Sequence, residues 1–347
     1  MNNCVLGWDV GGAHLKAVLV QSDGRAVQAV QRMCPLWRGM DKLQQAVTEI
    51  LDILPAHVTH HAITMTGELA DIFPDRQTGV TRITEHMHGW LKNADIAIYA
   101  GAQGFLAPDA VGSHANIIAS ANWHASAEFL ARRCGTALFM DVGSTTTDLV
   151  VLHSGKPLIR GYSDAERMAT EELVYTGVIR TPVMAVARRL PFAGGWQQLA
   201  AEHFATMADV YRLTGELFEE CDMGDTADRQ GKSEHESARR LARMMGRDFS
   251  DADMAQWRQL ARTLRSRQLW MLQSAVERQL SRRSFPDDAP IIGAGAGAFL
   301  VRELARVMNH PFIDVAQQIE GDSPITKWAS VCLPAYAVAW LRARELA

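Results

Sequence analysis

Two stretches of this chain repeat one another. Gly7-Trp8-Asp9-Val10-Gly11-Gly12 aligns with Phe139-Met140-Asp141-Val142-Gly143-Ser144, and the match runs without a gap to Ala17-Val18 and Leu149-Val150. Asp9 falls on Asp141, Gly11 on Gly143 and Lys16 on Asp148. In each copy an apolar run stops at Asp-Val-Gly and a second apolar run follows, so each reads as strand, tight turn, strand. One copy reads equally well as a plain β-hairpin. Two registered copies point to a duplicated core, with both halves offering the same loop to a shared cleft.

The rest of the chain fits an α/β protein. Cys4 to Val10, Leu15 to Val20 and Val27 to Met33 read as a meander of three strands. A helix over 41–54, a strand over 61–66, a strand over 95–100 and a helix over 120–133 follow. The second copy opens with strands over 136–140 and 149–153. Residues from about 164 to 285 read as mostly helical. Pro290 to Ile292 then reads as a strand, Gly293 to Gly297 as a glycine loop, and Ala298 to Met308 and Ser330 to Glu345 as helices. The expected organisation is a first domain over 1–133 and a second over 134–347. The second carries the helical insertion, and the last helix is free to pack back on the first domain.

The repeated loop suits phosphate and a hard cation. Glycine lets backbone N–H groups approach an anion, which fits Gly11 and Gly12 in one copy and Gly143 in the other. Asp9 and Asp141, at their strand ends, offer oxygen ligands to magnesium. Hydroxyls of Ser144, Thr145, Thr146 and Thr147 can donate to phosphate oxygens. Lys16 supplies a point charge for the same group, and Asp148 stands at its place in the second copy. Gly293, Gly295 and Gly297 form a third loop between a strand and a helix, as expected on the nucleotide side of such a site. Glu68 and Asp71 fit either acid–base groups or helix caps. Trp123 is the tryptophan expected nearest the cleft.

Composition removes other classes. A net charge of -4 provides no strong field for nucleic acid or an anionic membrane. No apolar run is long enough to span a bilayer. Met1-Asn2-Asn3-Cys4 lacks the basic start of a secretion leader. The five cysteines are scattered without a CxxC pair, which fits thiols in a reducing cytoplasm. His60-His61 and Glu85-His86-Met87-His88 lack a third ligand at metal-site spacing and read as surface histidines. The arginines at 239, 240, 243 and 247 read first as solvated helix faces, with an anion-attracting rim as the alternative.

The paired hairpins and the Gly293 loop resemble the hydantoinase/oxoprolinase branch of the actin-like ATPase superfamily, the group of sugar kinases, Hsp70 and actin. That resemblance implies duplicated actin-like, ribonuclease H-like domains around a central cleft. GWDVGGAHLK at 7–16, TMTGEL at 64–69, DVGSTTTD at 141–148, VYTGVIRTP at 174–182 and FATMADVYRLTG at 204–215 are similar to a narrower group. That group is associated with tetrahydromethanopterin-linked one-carbon metabolism in methanogens and methylotrophs.

The resemblance implies a transferase of methanofuran biosynthesis. It would condense an aminomethylfuran-methanol diphosphate with γ-glutamyltyramine to an aryl ether and release diphosphate. Magnesium is the implied cofactor, and ATP is left open. Asp9, Lys16, Asp141 and Asp148 are the implied catalytic residues, with Glu68 a second candidate base. An ATP-dependent phosphotransferase or hydantoinase/oxoprolinase-like amidohydrolase, and a non-catalytic nucleotide-binding protein, are the alternative readings.

Overall fold

The computed structural model describes residues 4–55, 58–282 and 285–347. The start Met1-Asn2-Asn3, used above against a secretion leader, and residues 283–284 of the expected helical insertion lie outside the described residues. Strands β1 (Val5–Val10), β2 (His14–Val20), β3 (Ala26–Met33), β4 (His60–Met65), β5 (Asp95–Tyr99) and β6 (Phe105–Leu106) form one sheet, in the order β3-β2-β1-β4-β5-β6. A second sheet is built from β7 (Ala137–Val142), β8 (Thr147–His153), β9 (Lys156–Leu158), β10 (Leu173–Val174), β13 (Ile291–Ala294) and β14 (Phe312–Asp314). Its order is β10-β8-β7-β13-β14, with β9 also on β8. β11 (Arg189–Phe192) and β12 (Gly195–Gln198) make a separate hairpin.

The duplication seen in the sequence is therefore a duplication of topology. The run β3-β2-β1-β4-β5 has its counterpart in β9-β8-β7-β13-β14. β1 pairs antiparallel with β2 and parallel with β4, so it lies inside its sheet, and all six of its residues are buried.

The chain divides into two compact units. One comprises Met1–Phe139, Val150–Arg167 and Asp314–Ala347, the other Met140–Leu149 and Met168–Ile313. In the first, the helix Leu333–Leu346 lies against β1. Gly7 permits the close approach, since a Cβ there would strike the Ala335 carbonyl and stand 2.9 Å from the Ala339 methyl. Trp8 donates from Nε1 to His61 Nδ1 at 3.1 Å, and burial pushes the His61 imidazole down to about 4. His61 is thus a core residue and not the surface histidine its sequence context suggests. Its neighbour His60 pairs with Asp95 at 3.0 Å.

Three elements differ from their sequence reading. The helix Arg76–Trp90 had no clear signal, because its buried apolar residues Val80, Ile83 and Met87 are sparse and two glycines interrupt it. Its start is marked by Asp75, which accepts from Thr78 N at 2.7 Å. The closing helix is two helices, Ser323–Val331 and Leu333–Leu346, broken at Cys332. Pro334 has no N–H to donate to the preceding turn and disfavours helical geometry at Leu333, so it begins a new helix instead of continuing one. The expected helical insertion contains the long helix Met254–Leu280, but also β10 and the β11–β12 hairpin. No helix among the described residues is long and apolar enough to cross a membrane.

Candidate functional site

The first hairpin is closed by Gly11 N donating to His14 O at 3.1 Å. The antiparallel register sets Asp9 opposite Lys16, and Lys16 Nζ stands 4.0 Å from Asp9 Oδ2. Asp9 is buried and Lys16 half-buried, so the lysine head keeps access to water. A Cβ on Gly11 would stand 2.8 Å from His14 O, whereas one on Gly12 would meet nothing within 4 Å. The outer side of this turn is therefore open at Gly12. On the inner side Thr66 N donates to Val10 O at 2.9 Å, tying the turn after β4 to the end of β1.

The second hairpin is closed in the same way, by Gly143 N donating to Thr146 O at 2.9 Å. Ser144, Thr145 and Thr146 are half-buried on its turn, and Thr147 is buried with its hydroxyl on Thr176 O at 2.7 Å. Asp148, half-buried, lies opposite Leu173 in the β10–β8 pairing.

Two further loops fold onto the second turn. Val178 N donates to Gly143 O at 3.0 Å, and Ile179 N and Arg180 N both donate to Ser144 O, at 3.1 and 2.8 Å. Gly177 lies against the Gly143–Thr145 backbone, where a Cβ would sit 2.5 Å from Thr145 N. Gln268, fully buried on the long helix, braces that loop by donating to Thr176 Oγ1 at 2.7 Å and Gly177 O at 2.9 Å.

The third glycine loop is placed differently from its sequence reading. Gly293 is inside β13, where a Cβ would meet Phe312 at 2.8 Å and Val301 at 3.0 Å. Gly297 leaves room for Val142 and Val178 and donates its N–H to Val142 O at 2.8 Å. Gly295 has φ +81, and a Cβ there would collide with Asp141 Oδ1 and the Val142 carbonyl. Gly295 and Gly297 let the loop press on the Asp141-Val142 turn, and Gly293 makes room for Phe312 and Val301.

Gly295→Ala combines a left-handed backbone with a clash against a carboxylate. It is expected to destabilise the second unit by about 2 kcal/mol. A urea midpoint unchanged from wild type would refute this account of Gly295.

Asp9 in the first unit and Asp141 in the second each present donors of the kind magnesium takes. Both are carboxylate oxygens beside turns whose backbone and hydroxyls suit phosphate, and the cradle around Asp141 holds one carboxylate oxygen in place. Among the described residues no three His, Cys, Asp or Glu side chains gather as a metal cluster. Magnesium held together with substrate phosphates commonly needs only one or two protein carboxylates.

Sequence reasoning left two parts of the first unit undeveloped. Glu68 does not cap a helix. It is buried, and accepts from Ser120 Oγ at 2.9 Å. In the same unit, Trp123 packs under the Arg167 guanidinium at 3.9 Å and edge-on to Tyr162 at 5.8 Å, and Tyr99 bonds His124 at 2.8 Å. No local motif marks Tyr162, His124 or Arg167, which meet only through the fold.

Duplicated sheets of this order, each with an Asp-Gly hairpin, define an α/β protein of the actin-like ATPase fold. A nucleotide-free structure of acetone carboxylase, an enzyme of ATP-dependent acetone carboxylation, has the same fold at a TM-score of 0.60. It is 10% identical over 98% of this chain and 70% of its own. The chain belongs to the hydantoinase/oxoprolinase family, whose sequence profile matches residues 60–339.

Within that frame it is similar to the (4-{4-[2-(γ-L-glutamylamino)ethyl]phenoxymethyl}furan-2-yl)methanamine synthase of Methanocaldococcus jannaschii. The two are 26% identical over all of this chain and 99% of that one. The enzyme of the same name from Methanococcus vannielii is 27% identical over 36% of this chain and 56% of its own length.

Proposed function

We propose that this protein is a synthase that joins a furfuryl diphosphate to a phenol. The donor is an aminomethylfuran-methanol diphosphate, the acceptor γ-glutamyltyramine, and the product an aryl ether plus diphosphate. The observation that carries this reading is the collinear similarity to the M. jannaschii synthase, which leaves no segment of either chain unmatched beyond 1% of that enzyme's length.

The phenol oxygen forms a bond to the furan-bound CH₂ as the bond from that carbon to the diphosphate oxygen breaks. The electron pair leaves with diphosphate and the phenol gives up its proton. The furan ring spreads positive charge on the CH₂, so stabilising the departing anion is the main demand on the protein.

Asp9 in the first unit and Asp141 in the second would each offer a carboxylate oxygen to magnesium, which neutralises charge on the leaving diphosphate when bound. Lys16 is the side chain of the first hairpin suited to that anion. In the second unit, backbone N–H groups and the hydroxyls of Ser144, Thr145 and Thr146 are of the kind that suits phosphate oxygens.

The donor already carries an activated leaving group, so no second activation is needed. Diphosphate and ether are therefore expected in equal amounts with magnesium present, whether or not ATP is added. ADP or AMP formed in proportion to product would restore a kinase-like reading. ATP hydrolysis with no ether from any phenol would favour an ATP-driven amidohydrolase of this family.

A further inference from the structure

Resting on the ether-forming reading above, we propose that Glu68 is the general base that takes the proton of the phenolic acceptor. Its place in the first unit is fixed from three sides. Thr66 N is bonded to Val10 O, and a Cβ on Gly67 would stand 3.0 Å from Val10 O and 3.3 Å from the Gly11 carbonyl carbon. Glu68 is therefore one residue beyond direct packing on the first hairpin turn. From the other side, the helix Arg76–Trp90 comes so close at Gly79 that a Cβ there would collide with the Glu68 carbonyl. Ser120 closes the third side through its hydroxyl on Glu68 Oε1.

Two features of this cluster bear on its use. Glu68 is 1% exposed, and its Oε2 is buried with no hydrogen-bond partner. A buried carboxylate oxygen left unmatched is costly, so a protein that keeps one has a use for it. Ser120 has φ +53, a strained backbone for a residue with a side chain, and its hydroxyl donates to Glu68 Oε1. Strain of this kind gathers where a side chain must be held for chemistry.

The charged neighbours are Asp164, which accepts from Ser120 Oγ at 3.3 Å, and Arg76, which pairs with Asp164 at 2.8 Å. Arg76 is thus engaged by Asp164, and the Glu68 carboxylate accepts from the neutral Ser120 hydroxyl and from its own backbone N–H. Burial raises its proton affinity most, and Asp164 adds to that, against its own backbone N–H, the Ser120 bond and the Arg76 charge. A carboxylate in this setting is a stronger base than a solvated one, as a phenol that ionises near pH 10 requires. The proton passes from the phenol to Oε2 as the O–CH₂ bond forms, and it leaves to water after product release.

The test compares wild type with Glu68→Gln, which keeps shape and the Ser120 contact, and with Glu68→Asp. Acceptors are γ-glutamyltyramine and a ring-fluorinated, more acidic analogue. Glu68→Gln is expected to lower kcat on the natural phenol by about 10²–10⁴-fold. KM for the diphosphate donor should stay within about three-fold. The deficit should shrink at least about ten-fold on the acidic phenol, which needs less help losing its proton. Glu68→Asp should restore part of the rate.

A merely structural role would lower both acceptors equally, and that result overturns the proposal. So does turnover of Glu68→Gln within about three-fold of wild type on both phenols. If wild type itself makes no ether from either phenol, the proposed function falls and takes the base with it. If wild type makes ether and only the acidity dependence is missing, the function stands and the base assignment alone is wrong.

Discussion

Asp9→Asn and Asp141→Asn are each expected to lower kcat for ether formation by about 10²–10³-fold, while KM for the diphosphate donor shifts by less than about ten-fold. Asparagine keeps the volume of aspartate and removes its charge. Asp9 is buried with Lys16 Nζ 4.0 Å away, and Asp141 is wrapped by the Gly295 backbone, so neither variant opens a cavity. The missing charge acts chiefly when the C–O bond to diphosphate breaks, which places the loss in kcat. If each carboxylate serves a magnesium ion, each variant should also need more magnesium for half-maximal rate. The measurement is initial rate against magnesium concentration, with diphosphate release as readout. Unchanged turnover in both folded single variants would remove the two aspartates from the chemistry.

The repeat was legible because its signals are local. An apolar run, Asp-Val-Gly and another apolar run need no knowledge of distant residues, and the β1–β2 and β7–β8 neighbours follow from them, whereas β4 and β13 join from farther along the chain. Gly293 to Gly297 were legible as a loop before a helix, but not as packing glycines. The atoms they make room for belong to Asp141, Val142, Val178, Val301 and Phe312, far along the chain. Glu68 was visible as a carboxylate after a strand. What marks it is its joining to Ser120, 52 positions on, and the strained φ of that serine, neither of which spacing can report.

One residue of the arginine cluster departs from its reading for a related reason. Charge on a helix read as a solvated face, yet Arg240 is completely buried, because its partners Asp209 and Asp228 come from other segments.

Removing that buried arginine is expected to give the largest loss of stability. Arg240 Nε donates to Asp209 Oδ1 at 2.8 Å, and its NH1 donates to Asp228 Oδ1 and Gly231 O, each at 3.0 Å. Asp209 in turn accepts from Thr206 N at 3.1 Å, fixing the start of the helix Met207–Thr214. From that start Met207 N donates to Thr181 O at 2.9 Å and Ala208 N to Ile179 O at 3.2 Å. Ile179 and Arg180 are the residues whose N–H groups hold Ser144 O, so the network ends on the second Asp-Gly turn. Arg240→Met keeps the bulk but leaves two carboxylates short of a counter-charge. Breaking such a buried pair costs about 3–5 kcal/mol. The low end, about 3 kcal/mol, is expected here. Arg212 remains 3.7 Å from Asp209, and Arg239 and Arg243 still face Asp228 at 3.2 and 3.5 Å. Arg240→Lys should recover little, because one ammonium cannot reproduce a planar fork shared between two carboxylates and a carbonyl. The measurement is urea unfolding of wild type and both variants at low and high salt, followed by a probe in the second unit. A solvated arginine would give a loss under about 1 kcal/mol that fades with salt. That outcome would overturn the assignment of Arg240 as the buried support of the second turn.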